Sequence, residues 1–204
     1  EEAQKAGLLI KEKNISLNHF YSSLQLRAKH TLEIIQQILK NDKKFYMAWQ
    51  LNERHYGALT GLNKIEMSKK IGEDKIRELR RSWDVKPDPL SKESPFHPFN
   101  IDTYKKLPRE IIPDTESLKD TYERVIKFFK AEIQKHLKNE NVLISAHGNS
   151  IRALCKYLFK LDNKQITSLE IPTGNPLLIN IDEEFKITSS EYLDKKRSKS
   201  LLVF

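Results

Sequence analysis

The stretch that decides the fold is Val142–Leu158, VLISAHGNSIRALCKYL. Its first half, with Asn141 in front, is a near-continuous apolar run ending at Ala146. Such a run fits a strand buried on both faces, as in a parallel sheet. A tight turn, His147-Gly148-Asn149, follows. Then comes a helical pattern from about Ser150 to Lys160, with Ile151, Leu154, Cys155 and Leu158 on one face. In open α/β sheets, ligands bind beyond the carboxyl ends of the strands, where unpaired helix N-terminal amides attract anions. His147 would point into that place, Gly148 would let the backbone approach closely, and Asn149 or Ser150 would cap the helix. Cys155 continues the apolar face and reads as core.

The same alternation extends outward from this unit. A long helix is predicted over Glu116–Lys138, with Leu118, Tyr122, Val125, Phe129, Ile133 and Leu137 three and four apart. Helices are also predicted over Glu2–Lys13, Leu24–Lys40 (Leu32, Ile35, Ile38 and Leu39 inward) and Lys64–Trp83. HFYSS (19–23) and KFYMAWQL (44–51) read as extended, with Phe45, Tyr46 and Trp49 as packing residues. PLLINID and ITSSEYL close the chain as two strands joined at Glu183 and Glu184. Strands alternating with helices predict an α/β fold, a three-layer α/β/α sandwich on a mostly parallel sheet, with no boundary dividing residues 1–204 into domains. Six of the eight prolines fall between Asp84 and Pro113, so 84–113 reads as irregular surface structure.

Composition narrows the function classes. With 36 basic and 28 acidic residues the net charge is +8, yet the basic residues form no stripe and no nucleic-acid-binding signature is present. KKRSK (195–199) reads as a solvated run. No apolar stretch approaches the ~20 residues of a membrane span. The single cysteine allows no internal disulfide and suits a reducing, cytoplasmic setting. No metal-ligand cluster is visible. The positive charge could serve acidic membranes, small anionic substrates or, as the minor reading, nucleic acid.

One run has too many polar groups for either period: LNERHYGALTGLNK, Leu51–Lys64, with a carboxylate, two cations, an imidazole, a phenol and two glycines. Together with YSSLQLRA (21–28), RRSWD (80–84), ESLKDTYERV (116–125), AHGNSIRALCKYL (146–158) and IPTGNPLL (171–178), it resembles the cofactor-dependent phosphoglycerate mutases of the histidine phosphatase superfamily. The similarity reaches from the first residue to about Leu193.

The resemblance implies a metal-free enzyme that interconverts 2- and 3-phosphoglycerate through a phosphohistidine primed by 2,3-bisphosphoglycerate. A bisphosphoglycerate synthase or phosphatase, or an inactive phosphoglycerate-binding relative, is the alternative on the same fold. It implies Glu53 as general acid/base and His147, with the amides of Gly148 and Asn149, as stabiliser of the phosphoryl oxygens. Arg27 would bind the transferring phosphoryl group. Arg54, His55, Tyr56 and Lys64 would surround the substrate, and Arg80 with Arg81 would capture an anion on a cover over the site. A homodimer or tetramer is left open. The family begins with a strand ending in Arg-His-Gly, and none of the six histidines here stands in such a triplet. The resemblance thus places residue 1 inside the helix after that strand. It implies an N-terminally truncated chain lacking its first strand, inactive alone, with FYSS and VLISA left short of backbone partners.

Overall fold

The computed structural model describes residues 1–198, the side chains of Lys64, Glu66 and Lys70 excepted. In chain order the main elements are α1 (Glu2–Glu12), β1 (His19–Ser22), α2 (Leu26–Leu39), β2 (Tyr46–Met47), α3 (Lys64–Ile71) and α4 (Glu73–Arg81). They continue with α5 (Leu118–Phe128), β3 (Val142–Ser145), α6 (Gly148–Leu158), α7 (Asn163–Ser168), β4 (Leu177–Ile181) and β5 (Ile187–Tyr192).

The strand alternation sorts the layers. β1 lies between β2 and β3, all parallel, with His19 opposite Val142 and Ser22 opposite Ser145. Phe20 and Leu143 face α1 and α2, packing with Ala6, Ile10, Leu32 and Ile35. Tyr21, Val142 and Ile144 face the other way, onto Val125, Phe129, Ile133, Ala153 and Leu154 of α5, its continuation and α6. Two covered faces explain why VLISA carries no polar alternation. FYSS and VLISA each have a partner, FYSS on both sides against the sequence expectation, VLISA among the described residues on one side only. They bond to each other, and β1 is paired on both sides. β4 and β5 form a separate antiparallel hairpin, with an irregularity at Asn180 and Ile181. A third cluster joins Leu118, Cys155, Leu161, Ile166 and Leu169. Burial there pushes the Cys155 thiol up to about 12, so this side chain is inert core.

Two predicted helices are interrupted. Lys64–Trp83 is two helices, because Gly72 sits at φ +87 where a left-handed step ends one and starts the next. The long helix keeps its α-geometry only to Phe128, then widens into a π-turn over Phe129–Ile133 and tightens into a 3-10 turn over Gln134–His136. The proline-rich segment has neither α-helix nor strand, and part of it is buried. Its 3-10 turns at Pro98–Asn100, Asp102–Tyr104 and Arg109–Ile111 fold over the carboxyl ends of the strands, and His97 is fully buried against Asp114.

Candidate active site

Beyond β1 and β3 the chain leaves the sheet at Ser23 and at His147, and these two side chains meet. His147 Nε2 lies 2.8 Å from Ser23 Oγ, and Arg27 Nη2 donates to His147 Nδ1 at 3.1 Å. A guanidinium can only donate, so Nδ1 is the acceptor and the ring proton sits on Nε2, donated to Ser23. Burial, with the charges of Arg27 and Arg124, brings His147 down to about 4. The imidazole is neutral at pH 7 and offers one N–H beside a fixed cation.

The polar run wraps toward the same point. Glu53 Oε1 accepts from the Arg54 amide at 2.8 Å, from Asn149 Nδ2 at 2.9 Å and from the Asn149 amide at 3.3 Å. Its own amide donates to Gln25 Oε1 at 3.0 Å. Asn149 Nδ2 also donates to the Tyr56 hydroxyl at 2.8 Å, and its amide orientation is set by Arg152 Nη1 on Oδ1 at 3.2 Å. Glu53 makes no ion pair among the described residues; it meets Arg54 through the backbone. A Cβ added at Gly148 would come to 4.0 Å from Glu53 Oε2, so Gly148 borders the carboxylate but tolerates that contact.

The expected ligand groups are placed differently from one another. Arg54 is buried and spends its guanidinium on main-chain carbonyls: Glu116 at 2.7 Å, Leu79 at 2.8 Å, Val85 at 3.2 Å and Arg80 at 3.4 Å. It ties the turn to the end of α4. His55 accepts from the Gly57 amide at 3.3 Å, keeps a buried Nε2 without a hydrogen-bond partner, and has its pKa lowered by burial. Gly57 itself sits at φ +52 with Asp88 O only 2.2 Å from where a Cβ would be. Tyr56 lies under the Arg80 guanidinium at 4.6 Å. Arg81 turns to Glu170, 2.7 Å off, while Arg80 lies over Tyr56, so in this structure the two guanidiniums have different partners. The side chain of Lys64 lies outside the described ones, as does Lys199 of the basic run.

Several residues assigned no site role in the sequence complete the arrangement. Arg124 grips Glu116 with two bonds, 2.6 and 2.8 Å, and donates to the carbonyls of Gln50 and Asn52 at 2.5 and 3.1 Å. Glu116 in turn accepts the His55 amide at 2.8 Å. Gln25 donates to Tyr104 at 2.9 Å. The signal for Arg124 lay in ESLKDTYERV, whose Glu116 and Arg124 stand two helical turns apart. Arg27, Glu53, His55, Tyr56, Tyr104 and His147 border one cavity of about 370 Å³. Trp49, expected as packing, lines it too, while Tyr46 is exposed and stacks on Tyr21.

Residues 1–100 and 96–189 match the histidine phosphatase superfamily (branch 1). A 2,3-bisphosphoglycerate-dependent phosphoglycerate mutase of Pelagibacter ubique (strain HTCC1062) is 65% identical over all of this chain and 86% of its own length. The protein of the same name from Xylella fastidiosa (strain M12) is 44% identical over 95% of this chain and 78% of its own. Among solved structures, a mycobacterial glucosyl-3-phosphoglycerate phosphatase superposes with a TM-score of 0.61 at 18% identity, covering 94% of this chain and 82% of that one. At that identity the likeness is one of fold. No helix among the described residues is long and apolar enough to cross a membrane. The chain belongs to the histidine phosphatase superfamily and, within it, to the 2,3-bisphosphoglycerate-dependent phosphoglycerate mutases.

Proposed function

We propose that this protein interconverts 2-phosphoglycerate and 3-phosphoglycerate with 2,3-bisphosphoglycerate as primer. The observation that carries the assignment is the link from Glu53 to Asn149 at 2.9 Å, which brings a carboxylate to the first turn of the His147 helix. Phosphoryl transfer between two hydroxyls of one small acid needs a base beside the hydroxyl and donors around the phosphoryl oxygens. Glu53 is assigned the first task, Arg27 and His147 the second, and Arg80 over Tyr56 the substrate carboxylate. A phosphate dianion settling between Arg27 and His147 would favour the imidazolium, so His147 gains a second donor as charge arrives. The primer's chemistry fits the same set, because its two phosphates and carboxylate ask for separate cations rather than for a metal cage.

In the forward step the substrate hydroxyl attacks the phosphoryl group. The bond from phosphorus to the carrier imidazole breaks, and the hydroxyl proton passes to Glu53. The reverse step, at the other hydroxyl, returns it. The carrier imidazole is assigned to the Arg-His-Gly pattern of the family and to none of the six histidines here. The test is turnover of 3-phosphoglycerate, followed through enolase. It compares the 204 residues with the same chain extended ahead of Glu1 by a strand ending in Arg-His-Gly. Isomerisation by the extended chain, dependent on 2,3-bisphosphoglycerate and with acid-labile phosphate on the protein, is expected. A folded extended chain that only hydrolyses phosphate would overturn the assignment. Full activity of the short chain would move the carrier role to one of its own histidines.

A further inference from the structure

At the other end of β1 three side chains converge that take no part in this chemistry. His19 opens the strand, His136 ends the 3-10 turn after α5, and Glu140 follows one helical turn later, its amide donating to His136 O at 3.1 Å. His19 Nε2 lies 2.6 Å from Glu140 Oε2, and His136 Nδ1 lies 3.4 Å from the same oxygen. The two imidazole rings stack with centroids 3.6 Å apart. One ligand atom from each residue can be chosen so that all three lie within 4.8 Å of one another.

We propose that His19, His136 and Glu140 bind a divalent transition-metal ion of the zinc type. Two imidazoles and a carboxylate are a common zinc ligand set, with bonds of about 2.0–2.2 Å. Tetrahedral angles then put ligand atoms about 3.4 Å apart. The His136–Glu140 spacing already has that value, the His19–Glu140 contact must open by less than 1 Å as the ion replaces the proton it shares, and the two stacked rings must turn apart so that both in-plane lone pairs meet the ion. The segments carrying the ligands are pinned to each other beforehand. Asn141 O accepts the amides of Asn18 and His19 at 2.9 and 3.2 Å, Asn141 donates to Asn18 Oδ1 at 3.1 Å, and its side chain reaches Ser16 O at 2.8 Å. Lys135, on the same turn, is turned to Glu132 at 2.8 Å rather than to the cluster. Side-chain exposures of 21%, 23% and 42% for His19, His136 and Glu140 leave an entry path and room for a water as fourth ligand. Ser23 and His147 stand at the far end of the strand, roughly 13 Å from His19 at 3.3 Å per residue. The ion would therefore act as a clip between β1 and the end of the long helix, outside the phosphoglycerate chemistry.

The test is titration of zinc chloride into the chelator-treated chain, followed by calorimetry and by unfolding in urea. One ion per chain is expected, and zinc at a hundred times its Kd should lower the unfolding equilibrium constant by about 100-fold. Cobalt should give the visible absorption of a tetrahedral ion, and magnesium, a hard oxygen-seeking cation, should do nothing. His136→Ala and Glu140→Gln should each weaken binding by at least tenfold, and His30→Ala should leave it unchanged. Glu140→Gln retains a hydrogen-bond acceptor toward His19, so it decides the matter should His136→Ala fail to fold. Absence of saturable zinc binding to the folded chain, or binding untouched by Glu140→Gln, overturns the proposal.

Discussion

Glu116→Ala is the most informative single substitution outside the proposed chemistry. Glu116 and Arg124 are a buried pair, their side chains 4% and 10% exposed, joined by bonds of 2.6 and 2.8 Å. Removing one member of such a pair leaves an uncompensated charge, at a cost of about 3–5 kcal/mol. Arg124 would keep the carbonyls of Gln50, Asn52 and, at 3.4 Å, Glu53, which puts the expected loss at the low end, about 3 kcal/mol. For a chain of this length that is roughly 6–12 °C in Tm. The His55 amide loses its acceptor at the same time, so the turn that presents Glu53 should loosen. Thermal and urea unfolding by circular dichroism measure the first effect, and anion protection of the cavity from proteolysis the second. Glu116→Ala with Arg124→Met should recover only part of the loss, because the uncompensated cation is gone but the carbonyls of Gln50, Asn52 and Glu53 lose their donor. A loss under about 1 kcal/mol in the single variant would refute the reading of this pair as the support of the turn.

Glu53→Gln keeps the shape and the bonds from Asn149 but removes the base. Turnover of the chain extended by the Arg-His-Gly strand should fall by about 10²-fold or more, and phosphorylation by 2,3-bisphosphoglycerate should fall less; wild-type turnover would sink the assignment. His147, at about 4 when folded against an ordinary 6.5, takes its proton less readily folded than unfolded. Its share of stability is thus complete above pH 6.5 and lost as pH falls to 4, by about 3 kcal/mol. Urea unfolding across that range should show a slope that His147→Gln flattens, and an unchanged slope would refute it. Arg80→Ala should raise the KM for phosphoglycerate and Arg80→Lys should restore little, since the planar group stacks on Tyr56. Arg81→Ala, which breaks only an exposed pair with Glu170, should leave KM nearly unchanged; equal effects of the two would contradict the placement.

The layer order was legible because VLISA and FYSS carry it in their own pattern: apolar on both faces in one, a polar end at Ser22 and Ser23 in the other. The π-turn at Phe129 was not, because Phe129, Ile133 and Leu137 keep a helical spacing while the backbone widens to seat them. In the site, an excess of polar residues marked Leu51–Lys64, yet period and composition could not sort its cations. Arg54 is held by carbonyls 25 and 31 positions away, at Leu79 and Val85, and nothing local announces those partners. The same distance problem hid the histidine cluster, whose His19 and Glu140 stand 121 positions apart.

The density of polar groups in this run follows from backbone accounting as much as from chemistry. Between β2 and α3 the chain makes only two short 3-10 turns, so most of its carbonyls and amides have no partner within regular structure. Some are met by distant main chain, as the Ala58 amide on Asp88 O and the Glu116 amide on His55 O, and several of those beside the cavity are met by side chains. Arg124 takes the carbonyls of Gln50, Asn52 and Glu53, Glu116 takes the amide of His55, and Asn52 Oδ1 takes the amide of Leu24 at 2.9 Å. Arg54 closes the far side on α4. With the main chain held from outside in this way, Glu53 and Tyr56 need not stabilise their own turn. Their side chains are directed by Asn149, which donates to both, with the Arg54 amide on Glu53 and the Arg80 guanidinium over Tyr56. A substitution that removes a holder should therefore cost stability and alignment together, whereas one that removes Glu53 should cost turnover with little change in unfolding.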